Sequence, residues 1–160
     1  MIVVDVTNAM SGTAATIHWH GLHQRKTPYM DGVPFITQCP IIFANTFRYF
    51  FQATEAGTQF YHSHTGEKTY FATRHFKYTC SILSGHHKVN GHYGALIIRE
   101  PIENDINAQY YDFDLFEHTI VASDWMHDMA EMYDPGLPTR GKIEPKNLLI
   151  NGRGQYTHVC

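Results

Sequence analysis

Long apolar runs, an excess of basic residues and closely paired cysteines are all missing from this sequence of 160 residues. Residues 95–98 are typical of its longest apolar stretches, whereas a membrane-spanning helix needs about 20 such residues, so no membrane span is predicted. Twelve Lys and Arg against 15 Asp and Glu give a net charge of -3, which argues against binding to nucleic acid or to an anionic membrane. The cysteines, Cys39, Cys80 and Cys160, form no Cys-x-x-Cys pair, which argues against cysteine-bound zinc.

The amino-terminal residues also lack the basic leader and cleavage site of a signal peptide, so the sequence itself gives no support for secretion. What is present is the composition of a packed globular chain, with 43% hydrophobic, 14% aromatic and 17% charged residues. Runs rich in Ile, Val, Thr, Tyr and Phe alternate with turn residues, and helical periodicity is nearly absent. Strands are therefore predicted at 2–6, 15–19, 47–53, 59–62, 95–99, 118–123 and 148–150.

The composition changes once along the chain, after about residue 100. Residues 1–101 hold most of the predicted strands, separated by Gly and Pro, and this pattern favours an all-β sandwich or barrel. Residues 102–117 are acidic and rich in turn residues, and we expect them to be a linker. A second domain is predicted to begin within 118–160, with a short helical turn at 124–127.

Histidine is as frequent as lysine and arginine together, with 12 residues, and four of these form two His-x-His pairs. His18 and His20 lie on one predicted strand, and His62 and His64 lie at the end of another. Residues i and i+2 of a strand point to the same face, roughly 6.5–7 Å apart, so each pair can serve one metal ion or two neighbouring ions. Imidazole binds copper, zinc, iron and nickel, so the donors alone do not select the metal. The alternative is ordinary polar alternation on two solvent-facing strands.

Several longer segments form a recognisable set around these pairs: HWHG at 18–21, TPYMDGVP at 27–34, TQCPI at 37–41, AGT at 56–58, FYHSHTG at 60–66, GHYGALIIREP at 91–101, DW at 124–125 and LINGRG at 149–154. In this order and spacing they resemble the multicopper oxidase family, and most closely laccases of the arthropod type. The resemblance covers most of the chain.

The resemblance implies a cupredoxin-like Greek-key β-sandwich. Residues 1–101 would be a plastocyanin-like first domain, truncated at its amino terminus and with an unusual insertion at about 67–89, and 118–160 would begin a second cupredoxin domain. The chain would thus be an amino-terminal fragment, without the carboxy-terminal cupredoxin domain that completes the copper cluster and holds the type 1 copper. The implied enzyme is a secreted copper-dependent oxidoreductase that oxidises phenols or diphenols and reduces O2 to water. The isolated chain is expected to be inactive.

The resemblance also implies a role for individual residues. His18 would ligate the type 2 copper, and His20, His62 and His64 would ligate the type 3 pair of a trinuclear centre. Asp31 matches an acidic residue that helps to deliver protons, although a turn at positions 30–32 explains it equally well. Cys39 stands where laccases often have a disulfide cysteine, and Cys160 is a candidate partner.

Three alternatives remain open. A zinc hydrolase or lyase would use three histidines and an open water position, although the sequence places no general base. A copper-binding protein without catalytic activity would use the same histidines. Finally, His86, His87 and His92 could form an extra metal site. The isolated histidines His23, His118, His127 and His158 are expected to have surface or structural roles.

Overall fold

A computed structural model describes residues 1–65, 86–130 and 145–156, and these residues form mainly short antiparallel strands. The strands are β1 (Ile2–Thr7), β2 (Ile17–His20), β3 (Thr46–Phe51), β4 (Gly57–Ser63), β5 (Tyr93–Ile98), β6 (Ala122–Trp125) and β7 (Asn147–Ile150). One helical turn, α1, spans His86–Val89, and 3-10 turns occur at Pro28–Met30, Ala108–Tyr110 and Phe116–His118. No helix within the described ranges has the length and apolar character needed to cross a bilayer.

The strands form three small sheets. One sheet pairs β1 with β3, a second has the order β2-β4-β5, and a third pairs β6 with β7. In β1, burial alternates along the strand: Ile2, Val4 and Val6 are half-buried, whereas Val3 and Asp5 are exposed. This alternation follows from the two-residue period of a strand, which places one face of β1 on the core.

The core lies between the first two sheets. Trp19 of β2 contacts Tyr49 and Phe51 of β3, with ring centroids 5.3 Å and 5.1 Å away. Ile41 completes this buried cluster. Because residues of both sheets meet at these rings, the two sheets pack face to face as a sandwich, and the prediction of an all-β sandwich is confirmed.

The five strands predicted before residue 100 are all present, with bounds shifted by no more than two residues. The strand predicted at 118–123 is wrong in its start, because β6 begins only at Ala122. The helical turn predicted at 124–127 is wrong. His118 ends a 3-10 turn because its amide donates to the carbonyl of Leu115 at 3.1 Å, and its Nδ1 accepts in return from the amide of Leu115. Trp125 is extended because it pairs with Asn147 in the ladder between β6 and β7. Residues 67–85 of the predicted insertion lie outside the described residues.

We expect Tyr49→Phe to lower the free energy of unfolding by about 1–2 kcal/mol, since it leaves a backbone donor unpaired. The amide of Ile17, at the start of β2, donates to the hydroxyl of Tyr49 at 3.0 Å, and Tyr49 is fully buried. Urea denaturation checks the value. The matched control is Tyr29→Phe, because Tyr29 is exposed and should change stability by less than about 0.5 kcal/mol. Equal effects of the two substitutions would contradict the role of the Tyr49 hydroxyl.

Candidate metal centre

Strands β2 and β4 bring the two His-x-His pairs together. In their antiparallel register His18 lies opposite His62, and His20 lies opposite Phe60. Residues that lie opposite each other share a face of the sheet, so His18, His20 and His62 project from the same face. Trp19, between the two histidines of β2, points to the other face and is buried in the core. Core packing of Trp19 therefore fixes which face carries the imidazoles.

The imidazole rings are close enough to share metal ions. Candidate ligand atoms of His18, His20 and His62 all lie within 4.8 Å of one another, and no other set of three His, Cys, Asp or Glu residues in the described ranges meets this criterion. His64 follows the end of β4, and its ring centroid is 5.3 Å from that of His18. Its position is fixed by its amide, which donates to the carbonyl of Thr16 at 3.2 Å.

Hydrogen bonds to backbone carbonyls define the protonation of two of the rings. Nδ1 of His18 lies 2.7 Å from the carbonyl oxygen of Asp31, and Nδ1 of His62 lies 2.9 Å from that of Ser63. A carbonyl oxygen can only accept, so each Nδ1 carries the proton and donates it. The lone pair of each neutral ring is then on Nε2, which leaves that atom available to a metal ion.

The environment also favours neutral, metal-binding imidazoles. Burial lowers the pKa of His18 below its ordinary value, and repulsion by His64 and His20 lowers it further. Burial likewise lowers the pKa of His62, with a further contribution from the positive charge of Lys88. Since the neutral ring is the form that binds metals, both shifts favour ligation near neutral pH.

The donor set fits copper. Nδ1 of His20 faces Nε2 of His62 at 3.4 Å, a separation that one metal ion with bonds of about 2.0–2.1 Å can bridge. Nδ1 of His64 is buried and has no hydrogen-bond partner within the described part of the chain. Imidazole nitrogens suit Cu(II) and Zn(II), and affinity for such sites is higher for Cu(II).

Phe60 restricts the orientation of two of the rings. It lies two residues before His62 on β4, and its ring stacks on those of His20 and His62, with centroid distances of 4.5 Å and 5.3 Å. The ammonium group of Lys88 lies 5.1 Å from the Phe60 centroid. No sequence motif assigned a role to Phe60, although the two-residue period of the strand could have indicated one.

Asp31 contacts the site through its main chain. Its carbonyl accepts from His18, while its side-chain Oδ1 accepts from the amide of Val33 at 3.0 Å and from the hydroxyl of Thr37. The carboxylate therefore stabilises the turn that follows residue 30, which is the simpler of the two interpretations that the sequence allowed. The role of Asp31 in proton delivery stays a prediction.

The remaining histidines lie outside this set. His23 is exposed and pairs with Glu55 at 3.1 Å, and His127 stacks on Tyr156 at a centroid distance of 4.2 Å. His87 is buried, with its ring centroid 5.4 Å from that of His92, but His86, His87 and His92 do not bring three ligand atoms together as the first set does. Cys39 is exposed and unpaired in the described part of the chain, whereas Cys160 and His158 lie outside it. The pairing of Cys39 with Cys160 stays a prediction.

Comparison with known proteins agrees with this fold. A sequence profile described as "Multicopper oxidase" matches residues 1–103. The chain belongs to the multicopper oxidase family. It is 35% identical over 159 residues to the L-ascorbate oxidase of Cucumis sativus, an alignment that covers 98% of this chain and 23% of that enzyme. It is 36% identical over 162 residues to Laccase-1 of Cryptococcus neoformans, with coverage of 96% and 22%.

A solved structure gives the same result for the fold. The laccase of Botrytis aclada matches with a TM-score of 0.67 and 33% identity, covering 94% of this chain and 23% of that one. The prediction of a cupredoxin-like Greek-key sandwich is therefore confirmed, as is the resemblance to multicopper oxidases. The chain spans less than a quarter of the length of these two curated relatives.

Proposed function

We propose that His18, His20, His62 and His64 bind copper and form part of the oxygen-reducing centre of a multicopper oxidase. The observation that carries this proposal is the convergence of three imidazoles within 4.8 Å on paired strands, in a chain of this family. His64 belongs to the same group because its ring adjoins that of His18. These four histidines would be half of the ligand set of a trinuclear copper centre.

The individual roles follow the division that the family resemblance implies. His18 is the ligand of the type 2 copper, and His20, His62 and His64 are ligands of the type 3 pair. Bound copper would supply the one-electron steps that couple oxidation of a substrate to the reduction of O2 to water. The residues of this chain hold the rings in place: carbonyl acceptors orient His18 and His62, and Phe60 limits rotation of His20.

A phenol or diphenol is the reducing substrate in this proposal. Ascorbate is the second candidate, because the chain is as similar to an L-ascorbate oxidase as to a laccase, at 35% and 36% identity. Oxygen uptake with each substrate, measured on the protein that carries this chain, separates the two. Faster uptake with ascorbate than with diphenols would contradict the laccase assignment.

We also propose the domain arrangement and the location that the sequence indicated. The profile match ends at residue 103, close to the proposed boundary at 101, and β6 and β7 form a sheet separate from the others. Both observations support a first domain at 1–101, a linker at 102–117 and the beginning of a second cupredoxin domain at 118–160. Secretion is proposed from the family resemblance alone.

Equilibrium dialysis against Cu(II) tests the metal assignment. We expect the purified chain to retain at least one equivalent of copper, and His18→Ala and His64→Ala to lose most of it. No retention above background would contradict the proposal. Retention of copper without oxygen uptake by the complete protein would favour the non-catalytic copper-binding alternative. Ester hydrolysis by the zinc-loaded chain would favour a zinc hydrolase.

Substitution of Asp31 separates its two proposed roles. Asp31→Asn keeps both the backbone carbonyl and a side-chain acceptor for Val33 and Thr37, so copper affinity should not change. If the carboxylate delivers protons, oxygen uptake should nevertheless fall by about a hundredfold. Asp31→Ala removes the turn contacts as well and should weaken copper binding by about tenfold. Unchanged oxygen uptake in Asp31→Asn would show that Asp31 acts only in the turn.

A further inference from the structure

A buried hydrogen-bonded cluster, made of His87, Ser63, Thr65 and Thr13, adjoins the proposed copper ligands. His87 is 5% exposed, and its Nδ1 lies 3.2 Å from the hydroxyl of Ser63 and 3.4 Å from that of Thr65. Its other ring nitrogen, Nε2, lies 3.1 Å from the hydroxyl of Thr13. Both ring nitrogens of His87 therefore contact hydroxyl groups, and His87 is not one of the three converging ligands.

Backbone hydrogen bonds also connect His87 with the end of β4. The amide of His92 donates to the carbonyl of His87 at 2.9 Å, and the amide of Ser63 donates to the carbonyl of His92 at 2.9 Å. Ser63 is thus held through its backbone and through its side chain. The His87 cluster therefore fixes the end of β4 at the residue between His62 and His64.

The position of Ser63 makes this contact relevant to the copper ligands. Side chains alternate along a strand, so the hydroxyl of Ser63 points away from the face that carries His62. A shift of Ser63 would move both neighbouring imidazoles together. Metal sites require their ligands to be held within about 0.5 Å of the productive geometry by the surrounding residues.

His87 also connects the two ligand-bearing segments. Thr13 lies shortly before β2, which carries His18 and His20, and Ala15, two residues after Thr13, is paired with Ile41 through two backbone hydrogen bonds. A neutral imidazole offers one donor and one acceptor on opposite sides of its ring, so a single side chain can bridge hydroxyls on both segments.

We propose that His87 is a positioning residue that holds the segment 62–64 against the segment before β2, in the arrangement that copper binding requires. This inference rests on the proposed function, because its effect is exerted through His62 and His64. From the sequence, His87 was a candidate only as a ligand of an extra metal site. The contact between His87 and Ser63 joins residues 24 positions apart, so local sequence periodicity does not indicate it.

Copper binding by substituted chains tests this role. We expect His87→Ala to weaken Cu(II) affinity by about tenfold and to change the nitrogen couplings in the electron paramagnetic resonance spectrum. His87→Gln, which keeps a donor and an acceptor, should restore both. Ser63→Ala should act in the same direction as His87→Ala, and the double substitution should lose less than the sum of the two. The control is His118→Ala, because His118 is exposed and outside the cluster; it should change neither measurement.

The outcomes separate the inference from the proposed function. If His87→Ala lowers only the melting temperature and keeps the spectrum and affinity of the unsubstituted chain, the inference is overturned and the copper assignment stands. If the unsubstituted chain binds no Cu(II), the proposed function is overturned, and the inference with it. If His87→Ala fails to fold, Ser63→Ala is measured instead, both alone and combined with His87→Gln. An unchanged spectrum in Ser63→Ala then overturns the inference.

Discussion

Replacing His62 by alanine is expected to weaken Cu(II) binding to the chain by about a hundredfold or more. Structural zinc sites with four ligands gain roughly 10–16 kcal/mol on binding, or about 2.5–4 kcal/mol per ligand, and about 2.7 kcal/mol corresponds to a hundredfold change in affinity. His62 is central in the group because its ring adjoins those of His18, His20 and His64. Competition titration with a chromophoric chelator measures the loss.

The control for this result is His118→Ala. His118 is exposed, and its Nδ1 accepts a hydrogen bond from Leu115 in a 3-10 turn, so its removal should leave copper affinity unchanged. If the His62→Ala and unsubstituted chains bind Cu(II) equally tightly, copper binds at a site that does not include His62. Thermal unfolding of both variants without metal separates loss of a ligand from loss of the fold.

Substitution of Gly32 by alanine should lower the free energy of unfolding by about 3 kcal/mol or more. Gly32 has a φ of +83°, and a Cβ at this position would overlap the carbonyl group of Ile17. Ile17 directly precedes His18 on β2, and Asp31, next to Gly32, accepts the hydrogen bond from that histidine. The substitution should therefore disturb the metal centre as well as the fold.

Gly12 provides a matched control for Gly32. Its φ is +84°, but a Cβ there would meet no atom within 4 Å. Gly12→Ala should therefore lower the free energy of unfolding only by the cost of the left-handed backbone conformation, about 1–2 kcal/mol. The difference between the two substitutions, measured by urea denaturation, reports the steric overlap with Ile17. Equal costs would contradict the close approach of the two segments.

The strand pattern and the two His-x-His pairs were accessible from the sequence because both depend on local periodicity. The alternation of His18, Trp19 and His20 predicted two imidazoles on one face, and the structure has this arrangement. The pairing of His18 with His62 was not accessible in this way. It depends on the register of two strands whose paired residues lie 40 or more positions apart, and a period of two does not determine that register.

The sequence failed where a tertiary contact overrides a local preference. Residues 118–123 contain Thr, Ile and Val and favour a strand, yet extended structure begins only at Ala122, where pairing with Ile150 of β7 starts. The hydrogen bond that the backbone carbonyl of Asp31 accepts from His18 was also not accessible from the sequence. Every residue has such a carbonyl, so no sequence pattern could have indicated this one.

Pulsed electron paramagnetic resonance of the chain, labelled with 15N-histidine and loaded with one equivalent of Cu(II), tests the copper assignment most directly. We expect couplings from two or more histidine nitrogens, and their reduction in His18→Ala and in His62→Ala. Couplings that stay the same in both variants, or that arise only from unlabelled backbone nitrogens, would show that copper binds outside the paired strands. That result would contradict the role proposed for these histidines.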